Sequence, residues 1–104
     1  MAFTGNEDHS ITLEDASKLT KNYRDNKSDD EILGGFFGKT ALLDILNQKG
    51  CVGIRYYYGQ KDDGTQQTVL VGVDANEKDL VDGEIAELQR PCPPFCQEGD
   101  LNSD

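Results

Sequence analysis

Residues 51–74 read CVGIRYYYGQKDDGTQQTVLVGVD, and apolar side chains recur in this stretch with a period of two. Val52, Ile54, Tyr56 and Tyr58 fall on one side of an extended chain, with Cys51, Gly53, Arg55 and Tyr57 on the other. A return run follows, with Val69, Val71 and Val73 on one face and Leu70 and Gly72 on the other. Between the runs, KDDGT supplies turn chemistry, and Gly64 can take the positive φ that a bulged hairpin loop demands. The stretch predicts an antiparallel hairpin of Cys51–Tyr58 and Thr68–Asp74.

Upstream, the period changes to that of a helix. In ITLEDASKLTKNYRDN (11–26), Thr12 stands where a helix cap belongs, with Asp15 three residues on as a shorter stand-in for Glu. Leu13, Ala16, Leu19 or Thr20, and Tyr23 share one face, predicting a helix over Leu13–Arg24. KTALLDILNQKG (39–50) carries a broad apolar stripe of Leu42, Leu43, Ile45 and Leu46 and ends at Gly50, placed as a left-handed terminator. It predicts a second helix over Gly38–Gln48. Between the two helices, Gly34, Gly35 and Gly38 bracket Phe36 and Phe37, whose rings are expected to turn into the core. Downstream, EIAELQR (84–90) fits a short helix or a strand. A strand is favoured because an isolated two-stranded ribbon is marginal. The expected fold is α+β, with two N-terminal helices packed on one face of a small antiparallel sheet.

A chain of 104 residues has room for one modest core. Residues 11–96 are read as a single domain, between a flexible N-terminus (1–10) and a disordered acidic tail (97–104). Twenty acidic against ten basic residues leave a formal charge of −10, which opposes binding to nucleic acid or to an anionic membrane. No stretch approaches the ~20 apolar residues of a spanning helix. The polar start carries no apolar leader, and three cysteines form no disulfide framework, so a cytoplasmic protein with reduced thiols is expected.

Chemistry is sparsely signalled. No G-x-S-x-G, H-E-x-x-H or P-loop is present, and the only histidine, His9, sits in the polar N-terminus without an apolar neighbour to position it. DANEKD, starting at Asp74, fails as an EF-hand loop: Lys78 and Asp79 occupy ligand and glycine positions, and Ile85 stands where the bidentate Glu belongs. PCPPFC (91–96) has a C-x₃-C spacing compatible with metal chelation, but a full tetrahedral site would consume Cys51, Cys92, Cys96 and His9 together. Extended, the two cysteine Cα atoms of this segment stand roughly 13 Å apart. Pro93 and Pro94 favour that extension unless a reversal such as a type VI turn intervenes. A plainer reading has Phe95 and one cysteine docking the tail, and Cys51 serving as a small buried hydrophobe.

Together, CVGIRYYYG, VLVGVD and PCPPFC resemble a group of small bacterial proteins in which an ITLEDA-type helix and an FFG loop recur. The similarity spans residues 11–96. It implies a bacterial source and a single domain, and carries no activity, ligand or catalytic residue. The functional expectation comes from the residues themselves: a non-enzymatic acidic protein that binds itself or another protein through the sheet's outer face around Arg55 and Tyr57. The alternative is a thiol module in which Cys92 and Cys96, joined by Cys51, hold zinc or another soft metal or cycle redox state. Outside that alternative, no cofactor is expected.

Overall fold

The hairpin forms where the alternation places it and runs two residues further towards the turn on each strand. The computed structural model describes residues 2–27, 32–86, 90–92, 99 and 101. It divides into two compact units, Met1–Glu7 with Phe37–Gln89, and Asp8–Phe36 with Arg90–Asp104. In chain order the elements are α1 (Leu13–Asn26), β1 (Gly34–Phe36), α2 (Lys39–Leu46), β2 (Cys51–Gln60), β3 (Gln66–Asp74), β4 (Ile85–Ala86) and β5 (Arg90–Cys92).

The first unit is built on β3. β2 and β3 pair antiparallel from Cys51↔Asp74 to Gln60↔Gln66, around a loop closed by Lys61 N donating to Thr65 O (2.8 Å). Gly64 adopts φ +92°, as the loop requires. Asp63 accepts the backbone N–H of Thr65 (2.9 Å), which holds its carboxyl below the usual range. On its other edge β3 pairs with the expected third strand, Val71 facing Ile85 and Leu70 facing Ala86. The sheet order is β2-β3-β4.

Both faces of β3 are covered. Leu70, Val71 and Val73 are all buried, although Leu70 points one way and the two valines the other. On Leu70's side lies α2, with Ile45 fully buried. Gly72 sits beneath this helix, where a Cβ would meet Gln48 Nε2 at 2.9 Å, Cys51 Sγ at 3.0 Å and Ile45 Cγ2 at 3.3 Å. Gln48 ties the helix end down: its Nε2 donates to Ile45 O (2.9 Å) and its Oε1 accepts the N–H of Glu84 (2.9 Å). Of the predicted stripe on α2, only Ile45 is fully buried. Leu42 is half-buried, and Leu43 and Leu46 remain more than two-fifths exposed.

One register detail departs from strict alternation. A bulge between Cys51 and Gly53 returns Cys51 to the α2 side of the sheet, opposite Asp74. Alternation alone places it with Arg55 and Tyr57.

The second unit contains α1 and a two-stranded ribbon. Thr12 caps α1 as expected, its Oγ1 accepting the N–H of Asp15 (3.1 Å). No residue of the helix is buried, and Leu13, Leu19 and Tyr23 of the predicted apolar face are exposed. Polar ties stand out here: Tyr23 OH donates to Ile32 O (3.2 Å) and Arg24 Nη1 to Leu101 O (2.7 Å). β1 pairs with β5, Gly34 facing Cys92 and Phe36 facing Arg90. Phe36, expected in the core, is 61% exposed, because its glycine-flanked segment forms a strand instead of a plug. Phe37 is half-buried in the first unit.

The α+β class therefore holds. Of the two helices expected on one sheet face, α2 packs there and α1 belongs to the other unit. Replacing Gly72 with Ala tests the packing of α2 on β3. The added methyl must displace Gln48, Cys51 or Ile45, so chemical denaturation is expected to show a loss of about 1–3 kcal/mol. Unchanged stability would mean that Gln48, Cys51 and Ile45 yield to the methyl without loss of packing.

Candidate functional site

Arg55 and Tyr57 project from β2 on the face opposite α2, beside Val71 and Val69 of β3. The chain reaches this face from two directions. After β3 it reverses through a turn in which Asp74 Oδ1 accepts the N–H groups of Asn76 (2.9 Å) and Lys78 (3.0 Å), and Glu77 takes φ +69°. Asp79 then lies opposite Val73 in an isolated bridge, and Leu80 N donates to Gly72 O (2.8 Å). From that edge Asp79 extends across β3. Its Oδ1 accepts Arg55 Nη1 at 2.6 Å, and its Oδ2 accepts the Tyr57 hydroxyl. Arg55 Nη1 also donates to Glu77 O (3.3 Å).

The ion pair is partly shielded, the Arg55 and Asp79 side chains being 32% and 19% exposed. Hydrogen bonding to Tyr57, and then to Asp79, holds the guanidinium above its ordinary pKa.

From the other direction comes the N-terminal segment. Phe3 N donates to Ala75 O (3.1 Å), and the Phe3 ring lies 5.8 Å from the Arg55 guanidinium carbon, a cation–π contact. Glu7 accepts the N–H groups of Thr4 (2.9 Å) and Gly5 (2.9 Å), bonds that pull its carboxyl below the usual range, Thr4's foremost. Gly5 has φ +88°, and a Cβ there would stand 2.9 Å from Val52 O. This close approach explains why a glycine is needed.

The tyrosine strand is open in a different place. Tyr56 and Tyr58 lie on the α2 side of the sheet, yet remain 59% and 76% exposed, and Tyr57 on the opposite face is 46% exposed. The Tyr56 and Tyr58 rings meet edge to face with centroids 5.7 Å apart. Hydrogen bonding with Tyr56 holds the Tyr58 phenol above its ordinary value. Among the described residues no strand pairs with the outer edge of β2.

The residues singled out in the sequence thus fall into separate places. Arg55 and Tyr57 come together through Asp79, which periodicity does not flag, and Arg55 also meets Phe3, the one large apolar residue among residues 2–10. Cys51 is a free, half-buried thiol whose Sγ donates to Gly53 O (3.2 Å). Cys92 lies on β5 in the other unit and is disulfide-bonded, contrary to the expectation of reduced thiols. Pro93, Pro94, Phe95 and Cys96, together with most of the acidic tail, lie outside the described residues. Among the described residues no three His, Cys, Asp or Glu side chains gather as metal ligands, and no helix is long and apolar enough to cross a membrane.

No family model, no curated protein and no solved structure matches the chain.

Asp79→Asn tests the cluster. The amide keeps an acceptor for one partner but leaves Arg55 without a counter-charge, so the melting temperature is expected to fall by several degrees. A variant that melts with the parent would show that Asp79 does not hold this face.

Proposed function

We infer that the protein is a non-catalytic interaction module that associates through the tyrosine-bearing strand β2. The observation that carries this reading is the combination of a strand edge unpaired among the described residues and three adjacent tyrosines, each close to half exposed or more. Tyrosine offers a large, amphipathic contact area at low conformational cost and is enriched where proteins meet. Beyond the bulge at its start, β2 lacks the devices that usually blunt an exposed edge. It is ten residues long, contains no Lys or Pro, and its one charge, Arg55, is drawn over β3 to Asp79.

Arg55 and Tyr57 enter this reading differently from the sequence expectation. Arg55 braces the strand from behind. Tyr57 contributes its exposed ring while its hydroxyl is held by Asp79. The contact surface extends to Tyr56 and Tyr58, on the side left uncovered beyond α2. The formal charge of −10 opposes nucleic acids and anionic membranes as partners and favours protein surfaces. A thiol module at Cys92 and Cys96 is the weaker alternative. A sulfur engaged in a disulfide is not a zinc ligand, so that alternative keeps only its redox form.

A surface reserved for binding should contribute little to folding. The double variant Tyr56→Ser, Tyr58→Ser is expected to unfold within about 0.5 kcal/mol of the parent in urea, as exposed substitutions do. A loss of more than about 2 kcal/mol would make the rings structural and remove the basis for the interaction reading.

A further inference from the structure

Resting on that interaction reading, we propose that the occupant of the β2 edge is a second copy of the same chain, paired antiparallel about a two-fold axis at Tyr57. The strand's own chemistry selects this register. With Tyr57 opposite its symmetry mate, Tyr56 faces Tyr58 of the second copy and Tyr58 faces Tyr56, so the aromatic run YYY is self-complementary. Arg55 falls opposite Gly59, and Ile54 opposite Gln60. No like charges meet directly. The two Arg55 residues are offset by four positions, about 13 Å along the strand, beyond the screening length at physiological salt. Each is already neutralised by its own Asp79.

The extent of the edge left unpaired among the described residues agrees with this pairing. Gly5 approaches the strand at Val52 O, at the bulge that opens β2. The register about Tyr57 uses Ile54–Gln60, which begins beyond that contact. On one face the joined strands would gather four rings, Tyr56 and Tyr58 from each copy, extending the edge-to-face contact already present within one chain.

Two quantities set the strength. The three rings expose on the order of 350 Å² per copy. The interface is therefore small compared with the ~1,200–2,000 Å² of stable complexes, and a dissociation constant of roughly 10–500 µM is expected. Each copy also carries −10, so the two repel at long range. Salt should tighten this association, the reverse of its usual effect on a complex between oppositely charged partners.

Light scattering of the full chain from about 10 µM to 1 mM, at about 20 and 300 mM salt, tests the pairing. The mass should rise towards that of two copies, with at least about threefold tighter association at the higher salt, and Tyr58→Lys should remain monomeric at both. Register is read by oxidation in a Cys51→Ser background. Tyr57→Cys should form an interchain disulfide at least about tenfold faster than Lys61→Cys, whose symmetry mate stands eight positions away. A monomer at every concentration and salt overturns the second copy as occupant and leaves the edge to a different protein. A dimer that cross-links equally at both positions overturns the register. Neither result touches the interaction reading, which fails only if the tyrosines prove structural.

Discussion

The first unit depends on one constraint: β3 must be covered on both faces at once. Leu70, Val71 and Val73 are all buried, and they point in opposite directions from the same strand. At roughly 1.5–3 kcal/mol for each such side chain removed from water, this strand concentrates much of the driving force available to so small a unit. A strand between two covers is ordinary in a layered protein, but among the described residues of this unit the second cover is not a helix or a sheet. α2 closes one face. The other is closed by a turn, an ion pair and the ring of Phe3. Gly72 follows from the same constraint, since α2 and the turn that follows it approach so closely that a side chain at that position would strike Gln48.

Much of this was legible in the sequence because it is local. Alternation and turn chemistry located the hairpin and the positive φ of Gly64, and the capping pattern located the start of α1 at Thr12. The third strand followed from the marginal stability of two strands alone, and β4 pairs where that argument requires. What escaped is long-range. A period of two cannot reveal a bulge, so Cys51 was assigned to the wrong face. Glycines around Phe36 are compatible with a plug or with a strand. Pairing with β5, more than fifty residues away, decided for the strand and left the ring exposed. The apolar face of α1 has helical spacing, but spacing does not say whether a partner surface exists, and its residues remain in water.

The candidate site illustrates the same division. Arg55 and Tyr57 were readable as an interface-type pair on one strand face. The cluster's centre, Asp79, was not, because its reach over β3 depends on the reversal at Asp74–Lys78 and on its bridge to Val73. Covering the Arg55 side changes which tyrosines are available. The ring-bearing surface left open is mainly that of Tyr56 and Tyr58, beyond the end of α2, continuous with a strand edge unpaired among the described residues. The single charge of this strand is paired with Asp79, in a chain so acidic overall.

Native-state hydrogen exchange on dilute protein tests the two-sided cover of β3 most directly. The amides of Leu70, Val71, Gly72 and Val73 should be the slowest in the chain and should exchange only through global unfolding, whereas those of α1 should exchange through local opening. Exchange of the β3 amides as early as those of α1 would contradict the account, since a strand sealed on both faces cannot open before a helix with no buried residue.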